Sequence, residues 1–120
     1  MSQSTSSPSA FQVDVEHRGT ATIVRLVGSA NMDVSADLQD RLLELADAPV
    51  ERLILDLSAL EFISSVGLGA FVAAHLRCCH HHGAVKLVAP QPKILELLNV
   101  TKLIKLFPIH DSVEAAMTAG

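Results

Sequence analysis

Ser64 and Ser65 have the clearest chemical prospects in this chain. They stand together in Glu61-Phe62-Ile63-Ser64-Ser65-Val66-Gly67-Leu68-Gly69-Ala70-Phe71, between a strand-like run and a helical pattern. Upstream, Arg52-Leu53-Ile54-Leu55-Asp56-Leu57 is apolar over a strand's length; downstream, Leu68, Phe71, Val72, Leu76 and Cys79 recur at helical spacing. Both hydroxyls are therefore expected at a helix N-terminus, where backbone N–H groups without acceptors meet the positive end of the helix dipole. A serine there can simply cap the helix. It can also carry a phosphate of about −1.5 to −2 charges, turning the site into a switch. Gly67 and Gly69 would leave the first turn bare enough for a partner's backbone to approach, or would let the helix pack closely on a sheet.

Competing chemistry is less well supported by spacing. Cys78, Cys79, His80, His81 and His82 resemble a metal cluster, with Cys78 and His82 four apart. No second ligand pair accompanies them, and histidines at a helix C-terminus complement its dipole without any ion. No metal and no cofactor are expected. The glycines fit neither the dinucleotide fingerprint nor the lysine-bearing phosphate loop. A hydrolase triad of Ser65, Asp56 and a histidine would need glycines two residues to either side of the serine, and Ile63 occupies the first of those places. The chain is expected not to be an enzyme.

Elements that would position the serines can be read along the chain. Residues 1–10 are Ser-rich and aperiodic, predicting a disordered tail ahead of a domain spanning residues 11–118. Phe11, Val13 and Val15 alternate with polar residues, Arg18-Gly19 suggests a turn, and residues 21–27 are rich in β-branched side chains; this predicts a hairpin whose second strand ends at Gly28. Ser29, Ala30, Asn31, Met32 and Asp33 form a connector, with Asp33 as the expected N-cap of a helix carrying Val34, Leu38, Leu42 and Leu45 on one face to about residue 46. Pro49 ends it. The second helix, which starts at the serines, should finish near His81 with Gly83 as its cap, followed by a strand over residues 84–88. Ile94, Leu97 and Leu98 mark a short third helix, Leu106-Phe107 an edge strand, and Asp111 the cap of a last helix through Val113 and Met117. Strands alternating with helices after an initial hairpin predict an α/β domain with a mixed sheet. The apolar strand from Arg52 belongs at its centre, which places the serines beyond a C-terminal strand end, where α/β proteins often locate function.

Composition narrows the partner. The 120 residues are 49% apolar, enough for one packed core, and no run approaches the roughly 20 residues that span a bilayer. No basic start followed by an apolar segment opens the chain, so a cytoplasmic location is expected, with Cys78 and Cys79 as reduced thiols. A net charge of −4, without Trp or Tyr, argues against nucleic acid and favours a protein or small-molecule partner, with no insertion into a membrane.

The segments Asp56-Leu57-Ser58 and Phe62-Ile63-Ser64-Ser65-Val66-Gly67-Leu68-Gly69 together resemble the STAS domain of bacterial anti-sigma factor antagonists. The similarity runs over residues 11–117 and includes Gly28 with its connector and Pro90-Gln91-Pro92-Lys93-Ile94-Leu95-Glu96-Leu97-Leu98. It implies a mixed sheet of about five strands with about four helices. It also implies that Ser65, two residues before the motif's glycine, is phosphorylated by a partner that is both serine kinase and anti-sigma factor, and that a serine phosphatase reverses this. Unmodified, such a protein binds the anti-sigma factor and frees the sigma factor; phosphorylated, it lets go. Asn31, Met32, Asp33, Ser64, Ser65, Val66, Gly67 and Leu68 would form the docking surface. Where the best-known members have Asp, this chain has Ser64 and Asn31, which keeps Ser64 open as an alternative acceptor. A second reading from the same resemblance is an accessory subunit of a membrane lipid-transport or other ATPase complex, binding without a phosphorylation cycle.

Overall fold

A computed structural model describes residues 11–48 and 51–118 of the chain. The tail expected over residues 1–10 and the helix break at Pro49 lie outside the described residues. In chain order the elements are β1 (Gln12–Arg18), β2 (Ala21–Ala30), α1 (Met32–Asp47), β3 (Arg52–Ile63), α2 (Ser65–His80), β4 (Ala84–Val88), α3 (Pro92–Val100), a single 3-10 turn (Leu103–Lys105), β5 (Ile109–His110) and α4 (Val113–Thr118). The strands form one sheet in the order β1-β2-β3-β4-β5, antiparallel between β1 and β2 and parallel elsewhere. This is the expected mixed α/β architecture, with β3 at its centre.

The central strand explains the layering. Leu53, Leu55 and Leu57 face a core shared with α1, α2 and α3, built around Phe71, Leu38, Leu42 and Leu98. Ile54 faces the other way, into a smaller cluster with Ile23, Val88 and Ala116 beneath α4. A strand covered on both faces has no polar side to display, hence the unbroken apolar run.

β3 is longer than its apolar run suggests, and the cause is a pair of register shifts. From Arg25↔Asp56 to Ser29↔Phe62, β2 advances four residues while β3 advances six. The extra residues bulge β3 and break its alternation, so the buried positions fall at Leu57, Leu60 and Ile63, a spacing that does not read as a strand. β2 likewise continues past Gly28, which adopts φ +99°, as far as Ala30.

Several expected boundaries move for physical reasons. The N-cap of α1 is Asn31, whose side chain accepts from the Asp33 amide at 3.1 Å, so Asp33 sits in the first turn instead. The buried face of α2 runs through Leu68, Phe71, Ala74 and Cys78, leaving Cys79 exposed and Leu76 59% exposed; the larger apolar residues misled the phase because the inner face uses small ones against α1. At the end of α2, the Gly83 amide donates to the Cys78 carbonyl and the His82 amide to the Cys79 carbonyl. This 6→1 and 5→2 pairing puts His82, not Gly83, in the left-handed position, at φ +62°. Leu106-Phe107 is not a strand: Phe107 is buried and meets His75 edge-on at 5.4 Å, while pairing with β4 falls to Ile109 and His110. Ser112, not Asp111, caps α4, accepting from the Ala115 amide at 3.1 Å. Lys86, buried on the α4 face, donates to the Ala116 carbonyl at 3.3 Å.

Three outcomes test this packing. A Cβ at Gly67 would stand 2.6 Å from Cγ1 of buried Ile63, so Gly67→Ala should cost about 1 to 3 kcal/mol in denaturant unfolding. His82→Gly should stabilise by about 0.5 to 1 kcal/mol in the same assay, because glycine removes the steric penalty of the left-handed cap. Cys78 supplies the third: burial, with a smaller contribution from neighbouring Cys79, pushes its thiol from 9.0 up to about 11. The unfolded chain therefore releases this proton first, and stability is lost as pH rises from 9 to 11, on the order of 2 to 3 kcal/mol. Cys78→Ala should flatten that part of the pH–stability curve.

Candidate functional site

β2 and β3 run parallel and end together, with Ala30 paired to Ile63 and the Ser64 amide donating to the Ala30 carbonyl at 2.9 Å. Each strand passes directly into a helix, so the N-termini of α1 and α2 emerge side by side at the C-terminal end of these central strands. This brings together the connector residues Asn31, Met32 and Asp33 with Ser64, Ser65 and Val66, as the sequence reading anticipated.

The two serines are in different environments. Ser64 is the N-cap of α2 and only 7% exposed. Its Oγ accepts from the Gly67 amide at 3.0 Å and lies 2.8 Å from Oγ of Ser35, which is fully buried and donates to the Asn31 carbonyl at 2.7 Å. Ser65 is the first residue of α2 and is exposed, and its hydroxyl has no hydrogen-bond partner among the described residues. The amides of Ser65 and Val66, as the first two of the helix, have no acceptor within it. No acidic residue occupies the first turn of α2, so no side-chain charge there offsets the dipole.

The two strand-to-helix junctions expose apolar side chains alongside exposed Glu61 and Asp33. Met32 is 63%, Phe62 51% and Val66 41% exposed, three large hydrophobic side chains contributed by the two strand-to-helix junctions. Phe62 is absent from the residues anticipated for docking. Its signal was hidden because two bulges interrupt the alternation that would have carried β3 as far as Phe62. Gly67 and Leu68, also anticipated for docking, are buried.

The remaining candidates separate in space. Asp56 accepts from the amide and hydroxyl of Ser58, at 3.0 and 2.8 Å, and no imidazole is hydrogen-bonded to it or to either serine. Cys78 is buried and Cys79 exposed, α2 ends at His80, and among the described residues no three His, Cys, Asp or Glu side chains are grouped to hold a metal ion. A groove of about 450 Å³, lined among others by Asp14, Arg25, Asp56 and Val113, includes no residue of the serine turn. The serine site is an open surface with an exposed hydroxyl rather than an enclosed pocket. No helix of the described residues is long and apolar enough to cross a membrane.

Comparisons with known proteins agree with this fold. The anti-sigma F factor antagonist of Paenibacillus polymyxa is 28% identical over 109 residues, covering 90% of this chain and 93% of that protein. The crystal structure of an anti-sigma factor antagonist from Mycobacterium paratuberculosis superposes with a TM-score of 0.83 at 27% identity, over 94% of this chain and 96% of that one. The Bacillus cell fate determinant SpoIIAA in its phosphorylated form shares the fold, with a TM-score of 0.70 at 18% identity over 90% of this chain and 96% of that one. Residues 12–116 match the STAS domain, nearly the whole described chain from the first strand into α4, and the protein belongs to the STAS domain family.

Proposed function

We propose that this protein is an anti-sigma factor antagonist: unmodified, it docks on an anti-sigma factor with serine kinase activity and so frees a sigma factor, and phosphorylation of Ser65 turns docking off. The observation that carries this reading is the contrast between the serines. Ser65 presents a free hydroxyl amid exposed Met32, Phe62 and Val66, while the hydroxyl of Ser64 is buried and engaged in capping. Relatives named as anti-sigma factor antagonists at 27% and 28% identity supply the partner class.

The chemistry belongs to the partner. Its kinase activity transfers the γ-phosphoryl group of a nucleoside triphosphate to Ser65 Oγ, the nucleoside diphosphate leaving as that P–O bond breaks and the hydroxyl proton passing to a base of the kinase. This chain contributes position: the helix end stabilises the added charge through the free amides and the dipole, so the fold survives modification. Docking does not survive, because an apolar patch that would be covered on binding must then desolvate a phosphate of about −1.5 to −2 charges. Each 1.4 kcal/mol of that penalty weakens affinity about tenfold, so a few kcal/mol suffice for release. A serine phosphatase of the same pathway restores the unmodified surface. SpoIIAA, a Bacillus protein of the same fold, is known in both an unphosphorylated and a phosphorylated form.

Three variants test the reading with a cognate anti-sigma factor kinase. Ser65→Ala should bind as wild type does and take up no phosphate. Ser65→Asp should fold normally, since the helix end accepts a carboxylate, and bind at least tenfold more weakly. Ser64→Ala should lose about 0.5 to 2 kcal/mol of stability through its cap yet still be labelled at Ser65. Equal binding by wild type and Ser65→Asp, with neither serine labelled, would remove the phospho-switch and leave a docking module without a phosphate cycle, such as a transporter's accessory subunit.

A further inference from the structure

The buried contact between Ser35 and Ser64 has a direction that hydrogen-bond accounting fixes. A hydroxyl carries one proton. The Ser35 proton goes to the Asn31 carbonyl at 2.7 Å, so the 2.8 Å contact between the hydroxyls runs from Ser64 to Ser35, while Ser64 Oγ accepts from the Gly67 amide at 3.0 Å. Four groups thus form one chain, from Gly67 N–H through Ser64 and Ser35 to the Asn31 carbonyl. It begins in the first turn of α2 and ends at the cap of α1, the two segments that carry Ser65 and Met32. Both hydroxyls are shielded from water, with Ser35 fully buried and Ser64 nearly so, so a broken link has no solvent molecule to replace it.

We propose that Ser35 is a positioning residue for the docking surface: acting through Ser64, it couples the start of α2 to the Asn31, Met32 and Asp33 connector, so that charge placed on Ser65 alters both. This rests on the reading of Ser65 as the regulated residue and adds to it a route by which modification reaches the half of the surface that carries no phosphate. Charge at Ser65 acts on the amides of the first turn, Gly67 among them; the Gly67 amide is the donor that begins the chain, and the connector carbonyl is its end. Mutually polarised hydrogen bonds transmit such a change when every link is made, and not when one is missing.

The experiment needs no partner protein. Amide resonances of Asn31, Met32 and Asp33 are compared between each background and its Ser65→Asp derivative, in wild type, Ser35→Ala, Ser64→Ala and the double variant. The expected result is a clear response of the connector in wild type and its loss in Ser35→Ala, in Ser64→Ala and, with no further change, in the double variant. Hydrogen exchange of the Gly67 amide should also quicken about tenfold in Ser64→Ala, which removes that amide's acceptor. A purely structural serine would lower stability but leave the response in place, and a through-space effect of the carboxylate would likewise survive the loss of the hydroxyl. Either persistence, or a wild-type connector that does not respond, overturns the coupling. Neither result touches kinase binding or labelling, so failure of the coupling and failure of the phospho-switch remain separate.

Discussion

The parallel pairing of β2 with β3, with β3 covered on both faces, is the constraint from which the working surface follows. Because the strands run in the same direction and end in step at Ala30 and Ile63, the helices that follow must start beside one another. Parallel strands require connections that return along the sheet, and α1 and α2 supply these by packing together on its larger face. Ala70 and Ala74 on the buried side of α2 share the main core with Leu38 and Leu42 of α1, the packing that also brings Ser64 within reach of Ser35, while Gly67 makes room for Ile63. Core packing and site geometry are thus one arrangement. A change that loosens α1 from α2 would separate the two halves of the proposed docking surface before it exposed much of the core.

Adjacent serines at a helix start resolve into two tasks because a helix has one cap position. The cap residue turns its side chain back over the first turn, which buries Ser64 against Ser35 and occupies its oxygen. The next residue has already entered helical geometry, and its side chain points outward. Ser65 is therefore exposed by the same step that buries Ser64. A phosphate on the outer residue meets free amides and solvent, whereas one on the inner residue would have to displace the α1 contact and forfeit the cap, a loss of about 0.5 to 2 kcal/mol before any desolvation is counted.

Most of the architecture was legible in the sequence, since the hairpin alternation, the apolar central strand and the helical spacings each reflect burial on a particular face. What was not legible shares one origin: competition between near neighbours that only tertiary geometry decides. Asn31 and Asp33 are both good caps, and the two-residue difference depends on where β2 stops. Glycine is the usual left-handed residue after a helix, yet the pairing at the end of α2 closes one residue early and assigns that conformation to His82. Phe62 escaped notice because the two bulges in β3 interrupt the alternation that would have extended the strand as far as Phe62, and no local pattern encodes a register shift against another strand. The division of labour between the serines was likewise open, as capping and acceptance call for the same residue type.

A serine rather than a carboxylate at position 64 changes how the site can communicate. A carboxylate would accept the Gly67 amide equally well, but being acceptor-only when ionised it would have no proton to give Ser35. The Ser35 proton would then be drawn to the carboxylate, and the link to the Asn31 carbonyl would weaken. A permanent negative charge would also stand beside the acceptor, so a phosphate on Ser65 would add to an existing field rather than create one. With Ser64 and neutral Asn31 in place, and no acid in the first turn of α2, the unmodified helix start keeps its dipole without a side-chain counter-charge. A phosphate on Ser65 would therefore make a larger proportional change in local charge here than it would beside two carboxylates, and under the proposed coupling the neutral chain of hydroxyls would carry that change into α1.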